Sequence, residues 1–393
     1  MGFAPFLLVH LKMLLEQNYT GIKITPSGFL KMLIENNPSI NITSVNGDSI
    51  NGLKTSTASG QIREVKYKYL PRITPQQIAD EDNCDNDFGF QYSEGRLNTP
   101  LFSKAGFQVE WDFIERYEAE AARAVQMGNP STPALQEMVD QLMHVVNGMV
   151  NNINGKLLTS LSFGVNASTG LSTAKNININ KDGNVYDLSD GVTEILSDAA
   201  FNEFVGSPLI VGAGLMNKFE LSKAATGLNG GGLNRGAQAG YEWYYDIVSE
   251  SVLGSNIIGV FSPKTIGFVD VDKYIGWKTG KFGNSWFAQI MLPVESGVEG
   301  SPVMMPFNLQ IQEVDCPTEG YDGYEFRSMG RGYKIMISKN FGLFQQPTDA
   351  YQAGDRLAGT NGSLLYRVTN DCDSCSPFGE PAEGGTEPPA DII

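Results

Sequence analysis

The segment Thr132–Leu161, TPALQEMVDQLMHVVNGMVNNINGKLLTSL, constrains the fold more than any other part of the chain. Leu135, Met138, Val139, Leu142, Val146, Met149, Val150, Ile153, Leu157, Leu158 and Leu161 follow one another at steps of one, three or four. An α-helix gathers all of them on one stripe, kept up for about eight turns. Thr132 is placed to cap the first turn, and Pro133 suits the first helical position, where a missing N–H costs nothing. At about 1.5 Å per residue such a helix is roughly 40–45 Å long, longer than a small domain is wide. Gln136, Glu137, Asp140, Gln141, Asn147, Asn151 and Asn154 are assigned to its other sides. A helix of this length, apolar along one side only, needs an extended sheet or an elongated body to lie against. A long helix in an ordinary α+β enzyme meets that need too, so the rest of the chain has to decide.

The 393 residues suffice for a sizeable core and roughly one to three domains. Apolar residues at 41% and aromatics at 10% describe a globular chain, while 44 glycines and abundant Asn point to many turns. With 28 basic against 44 acidic residues the formal net charge is −16. Such a chain repels a phosphate backbone, which excludes sequence-wide nucleic-acid binding and leaves open only a local basic face. Cys84, Cys316, Cys372 and Cys375 are too few for a disulfide scaffold. The Cys372–Cys375 pair has the C-x-x-C spacing but precedes a Pro/Gly/Glu-rich tail and has no second pair, so it reads as two incidental thiols. The opening MGFAPFLLVHLKMLLEQ has no basic residue before its apolar run, is interrupted by His10 and Lys12, and lacks a small-residue cleavage site. It reads as an amphipathic helix that packs on a neighbour, neither a signal peptide nor a membrane span, and no later stretch is apolar for long enough to cross a bilayer.

Taken in order, residues 1 to about 60 hold two short helical patterns, Pro5–Gln17 and Pro26–Glu35, and then a Ser/Thr/Asn/Gly-rich stretch; together they read as an arm. Arg63–Ile73 alternates Val65, Tyr67 and Tyr69 with Glu64, Lys66 and Lys68, as a two-faced strand does. The acidic cluster at 80–87 marks a loop tip, and Phe102–Phe113 resumes the alternation through Phe107, Val109 and Trp111. Residues 63–113 are therefore expected to form a long two-stranded ribbon with an acidic end. A lone ribbon is barely stable in water, so something outside the chain should hold it. Ile114–Met127 reads as a helix ahead of the long one, and Lys181-Asp182-Gly183-Asn184 as a hairpin turn. Val192–Phe204 and Gly214–Thr226 read as helices on either side of a short strand, Ser207–Gly212. Strands are then expected at Tyr241–Ser249, Ile257–Phe261, Thr265–Asp272, Trp286–Pro293, Phe307–Val314, Gly332–Lys339 and Leu364–Val368, ahead of a Pro/Gly/Glu-rich tail.

No catalytic apparatus emerges. The two histidines, His10 and His144, both fall inside helical patterns, and neither stands in a nucleophile motif. His144 is expected as a packing residue. Asn178, Asn180, Asp182 and Gly183 imitate the start of a calcium loop, but its twelfth position is Ser189 where a bidentate Glu is needed. A polar hairpin is the better reading. The glycine-rich loop at 227–236 follows a helix, whereas phosphate-cradling loops run from a strand into a helix. No catalytic, cofactor-binding or metal-ligating residue is assigned, and no cofactor is called for.

The order of arm, protruding ribbon, long helix, helix-rich region and late strands resembles the major capsid proteins of tailed bacteriophages with the Hong Kong 97 fold. The resemblance covers about residues 1–370. Its most telling pieces are the helix at 132–161, the pattern SPLIVGAGLMNKFELSKAATG at 207–227, and the late segments FNLQIQEVDCP and YKIMISKNFGLFQQP. It implies an α+β subunit with an N-terminal arm at 1–62, an extended β-ribbon loop at 63–113, and a spine helix with part of a peripheral domain at 114–191. A mainly axial domain would follow at 192–300, closing strands at 301–370 and a tail at 371–393. It further implies self-assembly of hexamers and pentamers into an icosahedral virion shell in the host cytoplasm, enclosing double-stranded DNA without sequence-specific binding, with portal and scaffolding proteins and in some cases decoration proteins as partners, no membrane, and no enzymatic role. Lys66 and Lys68 lie in the presumed loop, but nothing marks a partner Asn and Glu, so no crosslink is expected. Two physical points agree with the resemblance: thin shells share large interfaces among many copies, and a negative subunit suits a container that must not grip its DNA. An encapsulin-type compartment, and more remotely a soluble α+β enzyme or carbohydrate-binding module, are the alternatives.

Overall fold

A computed structural model describes residues 24, 26, 28–36, 40–43, 53–58, 61–69, 93–97, 101–127, 133–182, 185–187, 189–214, 235–238, 241–263, 265–272, 280–294, 303–317, 329–351 and 353–370. The first half of the described chain runs α1 (Gly28–Asn36), β1 (Ile40–Thr43), β2 (Leu53–Ala58), β3 (Gln61–Tyr69), β4 (Ser93–Leu97), β5 (Leu101–Val109), α2 (Trp111–Met127) and α3 (Pro133–Thr159). The second half begins with β6 (Lys175–Asp182), β7 (Val185–Asp187), α4 (Ser189–Phe201), β8 (Leu209–Gly212), β9 (Arg235–Gln238), β10 (Tyr241–Tyr245) and α5 (Ile247–Leu253). It closes with β11 (Ile257–Phe261), β12 (Ile266–Asp272), β13 (Gly280–Phe282), β14 (Ser285–Val294), β15 (Val303–Pro317), β16 (Met329–Gln345) and β17 (Ser363–Asn370). The class is α+β, as expected.

The long helix α3 buries Leu135, Met138, Val139, Leu142, Val146, Met149, Val150, Ile153, Leu157 and Leu158, and leaves Leu161 half-buried beyond its end. Thr132 lies outside the described residues. The free amide of Ala134 donates instead to Glu120 Oε2 of α2 at 2.8 Å, so the neighbouring helix caps this one. His144 departs from expectation: it is exposed. It stands two residues from both Leu142 and Val146, and a two-residue step turns a helical side chain away from the stripe. Asn154 departs the other way and is buried.

The stripe packs on a seven-stranded sheet of order β1-β12-β16-β15-β14-β13, with β5 also paired to β16. β16 is its hub. Tyr333–Ser338 pairs with both β15 and β5, and Asn340–Phe341 with both β12 and β5. A strand has only two edges, so β12 takes over the edge that β15 leaves, while β5 runs along the other. Ile335, Ile337 and Phe341 on β16 and Phe307, Leu309 and Ile311 on β15 share one apolar cluster with α3, a period-2 pattern with a single dry face. A Cβ added at Gly106 would stand 2.4 Å from the carbonyl oxygen of Ile335, so the close approach of β5 to β16 requires glycine there.

The second sheet has the order β7-β6-β17-β11-β8-β10-β9, and its central strands β8, β10 and β11 are buried on both faces. Leu209, Val211, Tyr244 and Phe261 join the cluster of the long helix; Ile210, Tyr241, Trp243, Ile258, Val260 and Tyr366 form another with Ile195 of α4. That is why LIVG and IIGVF read as unbroken apolar runs without alternation.

Three expectations change. Of the expected strand Arg63–Ile73, Arg63–Tyr69 lies in β3 and 70–73 fall outside the described residues; the partners of β3 are β2 and β4, in a separate three-stranded sheet. The expected return strand is β5, and it pairs with β16; alternation identifies a strand without naming its partner. The expected strand at Tyr241–Ser249 stops at Tyr245, because Asp246 adopts an extended backbone and accepts from the amides of Val248 and Ser249, starting α5. The helix before α3 begins at Trp111 instead of Ile114. The hairpin at 181–184 pairs Asp182 with Val185 as expected. The helices expected at Pro5–Gln17 and Gly214–Thr226, the acidic tip at 80–87, most of the glycine-rich loop, the tail from 371, and Cys84, Cys372 and Cys375 lie outside the described residues.

Candidate functional site

Three buried carboxylates mark where distant parts of the chain are joined. Asp246, 1% exposed, lies between β10 and α5. Its Oδ1 accepts from Val248 N at 2.9 Å and Ser249 N at 3.3 Å; its Oδ2 accepts from Phe29 N and Asn154 Nδ2, both at 2.8 Å. Asn154 Oδ1 in turn accepts from Leu30 N at 2.8 Å. The first amides of α1, which a helix cannot satisfy by itself, are thus met by α3 and by the second sheet. Gly28 permits it: a Cβ there would stand 2.1 Å from the carbonyl oxygen of Tyr245. Asn36 Nδ2 closes the far end of α1 by donating to the Tyr244 hydroxyl at 2.9 Å. The negative charge of Asp246 is met by N–H dipoles at two helix N-termini.

Asp198 of α4 ties the second sheet to the loop after the long helix. It accepts from Lys175 Nζ at 2.8 Å, Ser168 Oγ at 2.6 Å, Asn166 Nδ2 at 3.1 Å and the Tyr366 hydroxyl at 2.9 Å. Burial disfavours its charged form, but the hydrogen bonds from Lys175, Ser168, Tyr366 and Asn166 together outweigh that and hold its pKa below the ordinary carboxylate range. Burial likewise lowers the pKa of Lys175, and its bonds to Asp198 and Glu194 reverse the sign and raise it. Burial first, and then the Asp198 charge, pushes the Tyr366 hydroxyl upward. Asn202 extends the network, donating to Asn166 Oδ1 and accepting from Ala167 N, both at 2.9 Å.

The third carboxylate, Asp270 on β12, meets Lys339 Nζ of β16 at 2.9 Å, with Lys339 1% exposed. The ammonium also donates to the carbonyl of Pro306 at 2.7 Å and lies 5.1 Å from the ring centre of Phe307. Next to it Ser103 Oγ donates to Asn152 Oδ1 at 3.1 Å, joining β5 to α3.

Periodicity missed two of these residues while holding the clue to one. Asn154 falls four residues after Val150 and four before Leu158, on the stripe itself. Asp246 followed by Ser249 and Glu250 carries a helix-start signal that the apolar YEWYY before it conceals. Among the described residues no group of three or more His, Cys, Asp or Glu side chains could hold a metal ion. No described helix is long and apolar enough to cross a membrane. The sheet β2-β3-β4 is hydrogen-bonded strand to strand only within itself and sits outside both main sheets.

No protein-family model matches this sequence, and no curated protein is similar to it. Solved phage structures follow a similar backbone course at low identity. The capsid asymmetric unit of cyanophage A-1(L) is 13% identical, with 91% of this chain and 96% of that one covered at a TM-score of 0.43. A chain of Mycobacterium phage Adephagia is 10% identical, with 92% and 97% covered at 0.44. The mature capsid of bacteriophage PhiM1 is 10% identical, with 84% and 92% covered at 0.38.

Proposed function

We propose that this chain is a shell subunit, the major capsid protein of a tailed phage, assembling with copies of itself into a closed icosahedral head around double-stranded DNA. The observation that carries the reading is the sheet β2-β3-β4. Its strands pair only with one another, outside the hydrogen-bonded order of both main sheets, with β4 touching β16 of the body, and the body is built along a helix of 27 residues. A sheet of three strands needs a second layer to be stable, and in this reading a neighbouring copy supplies it. In this reading the ribbon is Leu53–Leu97, supported by the pairing of β3 with β2 and β4, and β5 belongs to the body, supported by its pairing with β16. The remaining divisions are an arm before the ribbon, a body of α2, α3, β5 and β12–β16, an axial part built on the second sheet, and a tail from 371.

In this reading the side chains serve architecture and not catalysis, and no cofactor is required. The net charge of −16 keeps the wall from condensing on packaged DNA. Portal and scaffolding proteins are the partners, with decoration proteins as optional additions, and the location is the virion. Electron microscopy of the chain expressed with its neighbouring gene products is the test. Closed shells, filled with DNA in infected cells, are expected. A stable monomer as the sole species overturns the reading, and shells filled with an enzyme reassign it to a protein compartment.

A further inference from the structure

We draw no further inference here: the strongest candidate, the wetter face of the body sheet, where Phe102 and Met304 are exposed and the buried amide nitrogen of Asn340 has no hydrogen-bond partner among the described residues, carries nothing because nothing in the structure shows what covers it.

Discussion

The two main sheets solve the same problem in opposite ways. The body sheet is long-stranded and dry on one face only: Ile335 and Ile337 point into the cluster of α3, while at the alternate positions Lys334 is exposed and Met336 half-buried. The second sheet is short-stranded and, in its centre, dry on both faces, with Val211 turned to one cluster and Ile210 to the other. Their buried charges follow suit. Asp270 in the body sheet has a buried ammonium as its partner, whereas Asp198, on the helix α4 against the second sheet, leans on hydroxyls and an amide besides the partly exposed Lys175. Lys339 has the parity of Ile335, Ile337 and Phe341, so it enters the dry face, where its ammonium lies beside Phe307 and Phe268 and is held by Asp270. Asp198 instead spreads its charge over neutral donors as well as one lysine.

The largest test of this contrast is Lys339→Ala. It strands the Asp270 carboxylate in the body sheet and should cost about 3–5 kcal/mol in denaturant unfolding, with the double variant Lys339→Met/Asp270→Leu recovering most of the loss. Asp246→Ala removes the joint between α1, α3 and α5 and leaves buried amides of α1 and α5 unmet; about 3 kcal/mol is expected, with hydrogen exchange accelerating first in α1. Ile210→Ala should cost about 2–4 kcal/mol and loosen the second sheet more than the body, read by exchange at β8 and β11 against β15.

The pH dependence tests the second sheet alone. Asp198 has a lowered folded pKa, so its contribution is intact above the unfolded carboxylate value of about 3.9 and is lost as pH falls through the lower folded value. Lys175 has a raised one, so its contribution is complete below about 10.4 and is lost as pH rises further. The pair therefore supports the fold between those limits. Asp198→Asn should flatten the acid limb of the unfolding midpoint; an unchanged limb would place the acid sensitivity elsewhere. The smallest effect belongs to the surface pair Arg116–Glu137 between α2 and α3, where Arg116→Ala should cost below about 1 kcal/mol in a thermal melt and less in high salt.

What could be read in advance followed the range of the forces involved. The stripe of α3 and the strands at 257–261 and 286–293 are local hydrophobic patterns, and they appear nearly where periodicity puts them. The partner of β5 was illegible because alternation in Leu101–Val109 records which face is dry and not which edge is bonded. The joints were less legible still. Asp198 meets Tyr366 across 168 positions, and Phe29 meets Asp246 across 217, and no local pattern marks such a pair. Asn154 is the exception: its place on the stripe was visible, and its polarity hid it.

The hub strand β16 has a mechanical consequence. β5 joins it antiparallel over nine paired positions, Tyr333–Val109 to Phe341–Leu101, and β5 follows directly after the outlying ribbon. A pull arriving from the ribbon runs along the axis of β5. It loads those hydrogen bonds together in shear, since they lie across the direction of the pull and none can be peeled before the next. The same strand passes the load sideways to β15 and β12 on its other edge. Tension taken up at the periphery is thereby shared across the width of the body sheet, and the joint yields at a force set by the whole row.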